Sequence, residues 1–172
     1  MTAAGETEGR RASWVDLARA AGAGSRDEDR PEELRQLLCF EVDGASYAVP
    51  VESVREIVRI RRITPMPRVS EDVCGVIALR GDIVQVVDLR RRMGLPPEVP
   101  SRKSRIVVVH LDDGRVAGVL VDSVQEVLRV NADAIGPPAG GESQTVEALC
   151  ARGDEFVSLI ALDRVLQVDV GN

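Results

Sequence analysis

Histidine is nearly missing from this chain: His110 is the only one in 172 residues, at the end of the run Ile106-Val107-Val108-Val109-His110. A general base needs a paired nucleophile or an orienting carboxylate, and this run reads as a strand ending in a structural histidine. Aromatic residues are almost as scarce. Trp14, Phe40, Tyr47 and Phe156 are the four, too few for a platform on which bases or sugars stack. The three cysteines, Cys39, Cys74 and Cys150, show no C-x-x-C spacing and sit inside apolar runs; they read as buried thiols, not a redox pair or metal site.

Other absences narrow the field further. No GxGxxG, P-loop, HExxH or GxSxG pattern occurs, so the recurrent cofactor, phosphate, zinc and nucleophile motifs are missing. Carboxylates are plentiful but lie at turns or alternate with apolar residues, and no acid and base pair stands out. The net charge of −6 with a pI near 4.9 argues against binding a phosphate backbone. The longest apolar runs, such as Val116 to Val121, fall far short of a membrane span, and the acidic, Gly-rich start Met1 to Gly9 lacks the basic and apolar regions of an export signal. The expectation is a cytoplasmic protein that is not an enzyme, with no catalytic residues, metal, cofactor, nucleic acid or membrane insertion.

Hydrophobic residues, chiefly Val, Ile and Leu, make up 44% of the chain, ample for a core and biased towards strands. Apolar β-like runs begin at Leu37, whereas the preceding residues are rich in Ala, Gly, Arg and Glu without alternation. We therefore expect a flexible N-terminal extension over residues 1–34 and a folded domain over 35–168. Within the extension, Ser13 can cap a short helix that puts Trp14 and Leu17 on one face and ends at Gly22. Trp14 and Leu17 are the candidate docking residues there, against the alternative of a solvated tail.

From Leu37 the pattern predicts about ten short strands, with tight turns at Asp43-Gly44, Gly81-Asp82, Asp113-Gly114 and Gly153-Asp154. An internal repeat organises them. Asp43-Gly44 is followed by Ala48-Val49 and Val51-Glu52-Ser53-Val54-Arg55-Glu56-Ile57-Val58-Arg59. Seventy residues on, Asp113-Gly114 is followed by Gly118-Val119 and Val121-Asp122-Ser123-Val124-Gln125-Glu126-Val127-Leu128-Arg129. A second match relates Gly75 to Asp82 with Val146 to Asp154, each ending in Arg-Gly-Asp. Arg80-Gly81-Asp82 is read as a turn, not as an adhesion signal.

Tandem duplication of this kind predicts an all-β fold of two packed barrels with short helices at their ends, the first over about 35–93 and the second over about 104–168. Each half is too small to be stable alone. The Pro-rich stretch from Gly94 to Pro100 is the connector, and an apolar groove is expected between the barrels. The clusters Arg59, Arg61, Arg62 and Arg90, Arg91, Arg92 read as solvated edges able to steer an acidic partner.

Several linked segments resemble the CheW family of chemotaxis coupling proteins. They are Tyr47-Ala48-Val49-Pro50-Val51, Val54-Arg55-Glu56-Ile57-Val58, Ile63-Thr64-Pro65-Met66-Pro67, Gly75 to Val84 ending in Val87-Asp88-Leu89, Val119 to Val127, and Ile135-Gly136-Pro137-Pro138. The resemblance covers nearly everything from Leu37 to Val168. It implies two five-stranded SH3-like barrels, with a terminal strand sometimes exchanged between halves. It also implies an adaptor that binds the cytoplasmic tip of methyl-accepting chemoreceptors and the regulatory domain of a CheA-type histidine kinase, at membrane-associated receptor arrays.

Glu56 and Arg80 match the family's telling polar positions and are expected to pair or to contact a partner. Gly75 is expected where a partner or a backbone comes close, and Val54 and Ile57 are candidate contacts. The chain departs from the family at Ala78, where asparagine is usual, and in its long extension. Two alternatives stand beside this reading: a scaffold of a non-flagellar pathway (gliding, pilus or cyclic-nucleotide signalling), and a small-molecule-binding β-barrel.

Overall fold

The computed structural model describes residues 31–167 apart from Glu142. Asp43 and Gly44 both take positive φ, 52° and 75°, the mirror-image turn whose twist suits a hairpin. They fold β1 (Leu34–Val42) back on β2 (Ala45–Pro50). After a 3-10 turn (Val51–Ser53) come β3 (Val54–Arg59), β4 (Val73–Leu79), β5 (Asp82–Asp88) and the helical turn α1 (Leu89–Arg92). The Asp88 carboxylate caps α1 by accepting from the Arg90 backbone N–H. Beyond the proline-rich connector lie β6 (Arg105–His110), β7 (Val116–Val121), β8 (Ser123–Asn131), a second 3-10 turn (Ala132–Ala134), β9 (Ile135–Gly136), β10 (Val146–Arg152), β11 (Glu155–Ile160) and α2 (Leu162–Val165).

The strands form two sheets with the same internal plan. One runs β8-β1-β2-β11-β10-β9, the other β3-β6-β7-β5-β4. Parallel pairing occurs at matching places, β2 with β11 and β7 with β5. An isolated Thr64↔Val76 bridge beside β4 stands where β9 stands beside β10. The duplication seen in the sequence is thus a duplication of structure.

The sheets are not, however, the two sequence halves 35–93 and 104–168. Residues 54–121 make one sheet, while the other combines 34–50 with 123–160. The halves have traded hairpins, β1-β2 for β6-β7. The chain passes between sheets only at Val51–Ser53 and at Asp122.

Burial explains the trade. Leu38, Phe40, Val42, Val107, Val109, Val119 and Val121 face a core shared by both sheets. Their neighbours Leu37 and Cys39 face the interior of one sheet, and Ile106, Val108 and Leu120 the interior of the other. Strands β1, β6 and β7 are therefore apolar on both faces, which is why they read as unbroken runs and not as alternations. At about 1.5–3 kcal/mol for each fully buried aliphatic side chain, this shared layer is what holds the sheets together.

Candidate functional site

The ends of the β3–β4 sheet are drawn together by side chains. Arg80 Nε donates to Glu56 Oε1 at 3.1 Å and Arg80 Nη2 to Glu56 Oε2 at 3.5 Å, so the β4–β5 turn grips the edge strand β3. Arg55 Nη1 reinforces the grip, donating to Asp82 Oδ2 at 2.8 Å. The Arg80 side chain is 72% exposed and that of Glu56 21%. Arg80 therefore offers most of its donors to solvent while one carboxylate holds it in place.

The turn itself differs from the sequence expectation by one residue. Strand β4 ends at Leu79 and β5 begins at Asp82, paired with each other, so the turn is Arg80-Gly81, not Gly81-Asp82. Arg80 adopts φ 49°, a region that costs an L-residue about 1 kcal/mol or more. In the second sheet Arg152 pairs with Glu155, and Gly153, at φ 59°, takes the place of Arg80. The two Arg-Gly-Asp tripeptides are out of step in the structure.

That one-residue offset changes the second ion pair. Arg152 Nη1 donates to Glu126 Oε1 at 3.2 Å and Nη2 to Glu155 Oε2 at 3.0 Å. Its side chain is 25% exposed, and that of Glu126 56%. The arginine lies along the sheet and the glutamate faces out, the reverse of the Glu56–Arg80 arrangement. This counterpart was available to sequence reasoning, since the 70-residue repeat matches Glu56 to Glu126.

Apolar residues are exposed at equivalent places beside each pair. Ile57 on β3 and Val127 on β8 face matching partners, Val107 and Leu38, and both are exposed. Ile83 and Phe156, each the second residue of its strand, are 77% and 68% exposed. Single exposed aliphatics are ordinary, but the same two positions left uncovered on both sheets make matching surfaces.

The remaining sequence candidates are placed as follows. Val54 is half-buried and packs against the shared core. Gly75 is buried at φ 136°, and a Cβ there would overlap the Thr64 carbonyl oxygen and lie 2.7 Å from its carbon. The close approach expected at Gly75 is made by the chain itself, through the Thr64↔Val76 bridge. Trp14 and Leu17 lie outside the described residues. His110 is exposed at the end of β6, opposite Val116. Burial pushes the Cys39 and Cys74 thiols up to about 11, so neither is an ordinary nucleophile at neutral pH.

Where the chain crosses between the sheets at Asp122, the surface is charged. A cavity of about 340 Å³ is lined by Glu41, Asp43, Asp88, Arg90, Glu98 and Asp122, among others. Arg90 fills its polar needs there: Nε and Nη2 donate to Asp122 at 3.0 and 2.9 Å, Nη1 donates to the Pro96 carbonyl, and Glu98 lies 2.6 Å away. Sequence reading took Arg90 for a solvated edge. It is buried because α1 turns it inward, towards the corner at Asp122.

A family model described as the CheW-like domain matches residues 36–170. The chain belongs to the CheW-like family. It is 29% identical over 152 residues to the chemotaxis protein CheW of Helicobacter pylori, covering 87% of this chain and 91% of that one. It is 31% identical to protein FrzA of Myxococcus xanthus, over 80% of this chain and 88% of that one. Among solved structures, the scaffolding protein TtCheW of Thermoanaerobacter tengcongensis superposes with a TM-score of 0.74 at 30% identity, covering 79% of this chain and 94% of that one. Membership agrees with the duplicated two-sheet architecture. No helix among the described residues is long and apolar enough to cross a membrane.

Proposed function

We propose that this CheW-like chain is a non-catalytic chemosensory adaptor that couples methyl-accepting receptors to a CheA-type histidine kinase, in the cytoplasm at receptor arrays. What carries the reading is the pair of matching surfaces, each an exposed apolar pair beside a Glu–Arg ion pair, one on each sheet. An adaptor must hold more than one partner at once, and two similar but unequal faces supply two docking positions on one folded unit. Apolar anchors such as Phe156 and Ile83 provide buried area on binding, while Arg80 and Glu126 orient the partner.

The test is capture of a receptor cytoplasmic tip and of a kinase regulatory domain, offered separately to the full chain. Ile83→Asp and Phe156→Asp each lower capture of at least one of them tenfold or more, an effect of the size seen when a buried anchor is lost. Undiminished capture of both by the double variant overturns the reading. The likeness to FrzA, a relative not named for chemotaxis, supports a second reading as a scaffold of a non-flagellar pathway. Deleting residues 1–34 and assaying kinase control separates the two.

A further inference from the structure

At the outer end of the β3·β6 ladder two arginines stand face to face. Arg59, the last residue of β3, pairs in register with Arg105, the first of β6. Like charges directly opposite on a sheet are unfavourable. The chain segments leaving this end add Arg61 and Arg62 on one side and Arg102 and Lys103 on the other, all four exposed. Six cations thus gather in a chain whose net charge is −6.

Their own carboxylates do not answer them. Among the described residues, none of the six has an acidic side chain within ion-pairing distance. Arg61 and Arg105 donate only to carbonyls, those of Ala78 and of Arg102 and Ser104. The carboxylates on the neighbouring strand ends are committed, Asp122 to Arg90 and Asp88 to the α1 backbone and Arg91. The 101–104 turn is pinned, its Ser101 and Lys103 backbone N–H groups donating to Ser104 Oγ and Ser101 Oγ. Arg102 is therefore presented by a fixed turn, while Lys103, held by the same turn, lines the acid-rich cavity with Asp88, Glu98 and Asp122.

We propose that this end of the sheet binds a short acidic segment of a protein partner. A carboxylate-rich strand laid across β3 and β6 neutralises Arg59 and Arg105 together and removes a repulsion that the unbound chain bears. A short segment is favoured over a nucleic acid or a lipid surface by the charge of the rest of the molecule. Only charges within about 8 Å are felt strongly at physiological salt, so a short segment laid over Arg59, Arg62 and Arg105 meets mainly cations, whereas an extended polyanion also meets the carboxylates of the Lys103-lined cavity and the surplus elsewhere.

The probe is a fluorescent octaglutamate peptide titrated with the full chain. Binding is expected at about 20 mM salt and at least tenfold weaker near 300 mM. The double substitution Arg59→Glu and Arg62→Glu weakens it at least tenfold. Arg129→Glu, at the exposed position on β8 that corresponds to Arg59, changes it less than twofold. Arg59→Glu alone raises the melting temperature by about 1–3 °C, because a carboxylate then faces Arg105. Equal binding of octalysine, equal loss with Arg129→Glu, or tighter binding of an octanucleotide or of anionic phospholipid vesicles overturns the proposal.

Discussion

Arg90 and Asp122 meet through both carboxylate oxygens, Nε at 3.0 Å from Oδ1 and Nη2 at 2.9 Å from Oδ2, at the corner where the chain leaves one sheet for the other. Asp122 also accepts the backbone N–H of Asp43 at 2.8 Å and donates its own N–H to the Glu41 carbonyl. One carboxylate thus joins α1, the β1–β2 turn and the crossover.

Asp122→Ala removes the two-oxygen partner of the buried Arg90 guanidinium and leaves it to Glu98, Asp43 and the Pro96 carbonyl; removal of one member of a buried pair is destabilising. Because the Asp122 side chain is 31% exposed, a discounted loss of about 1–3 kcal/mol is expected. Urea denaturation checks it; a change below about 0.5 kcal/mol removes the corner from the account of stability.

The same carboxylate gives stability an acid limit. Burial pushes the Asp122 carboxyl up, but the hydrogen bonds from Arg90 and the Asp43 N–H outweigh it and leave the group below its ordinary value. Asp72 behaves likewise, burial being outweighed by Ser70 and Arg92. A carboxyl depressed in the folded state stabilises above its unfolded pKa, near 3.9, and the benefit fades as pH falls through the folded value. Asp88 works the other way, raised chiefly by burial, so its protonation favours the folded state. Melting temperatures from pH 7 to 2 should fall below about pH 4, and Asp122→Asn should start lower and converge on the wild type at the acid end.

Arg80 separates folding from docking. Arg80→Gly relieves the strained φ and loses only an exposed ion pair, worth about 0.2–1 kcal/mol, so its stability stays within about 1 kcal/mol of the wild type. Arg80→Ala keeps the strain and loses slightly more. Both should lose kinase or receptor co-purification to a similar degree. Wild-type binding by either variant takes Arg80 out of the interface.

Gly75→Ala tests a purely internal constraint. With φ at 136° and the Thr64 backbone in the way, an added methyl forces the 63–65 segment off β4. A loss of about 2 kcal/mol or more is expected, read by thermal melting. An unchanged melting temperature means the bridge is dispensable.

The repeat was legible because it rests on turn chemistry and on periodic burial. Asp43-Gly44 demands a hairpin, and Glu56 and Glu126 stand 70 residues apart on equivalent strands. The hairpin trade was only hinted at, through a resemblance that implied a single exchanged terminal strand; the residues themselves did not show it. Phe40 and Val109 satisfy the same pattern whichever half they pair with, since pairing between strands far apart in sequence leaves no local mark. Arg90 was misread for a related reason: its three-arginine run looks solvated, and only the inward turn of α1 and the distant Asp122 bury it. The offset between the Arg-Gly-Asp tripeptides was hidden because identical letters align, whereas register is set by how Leu79 and Arg152 face Asp82 and Glu155.

The traded hairpins bear on what a single backbone cut would do. Severed between Leu95 and Pro100, the chain gives two fragments, each carrying the middle strands of the sheet whose outer strands belong to the other. Neither piece alone holds a complete sheet, so the two fragments of a nicked molecule are expected to stay together until it unfolds.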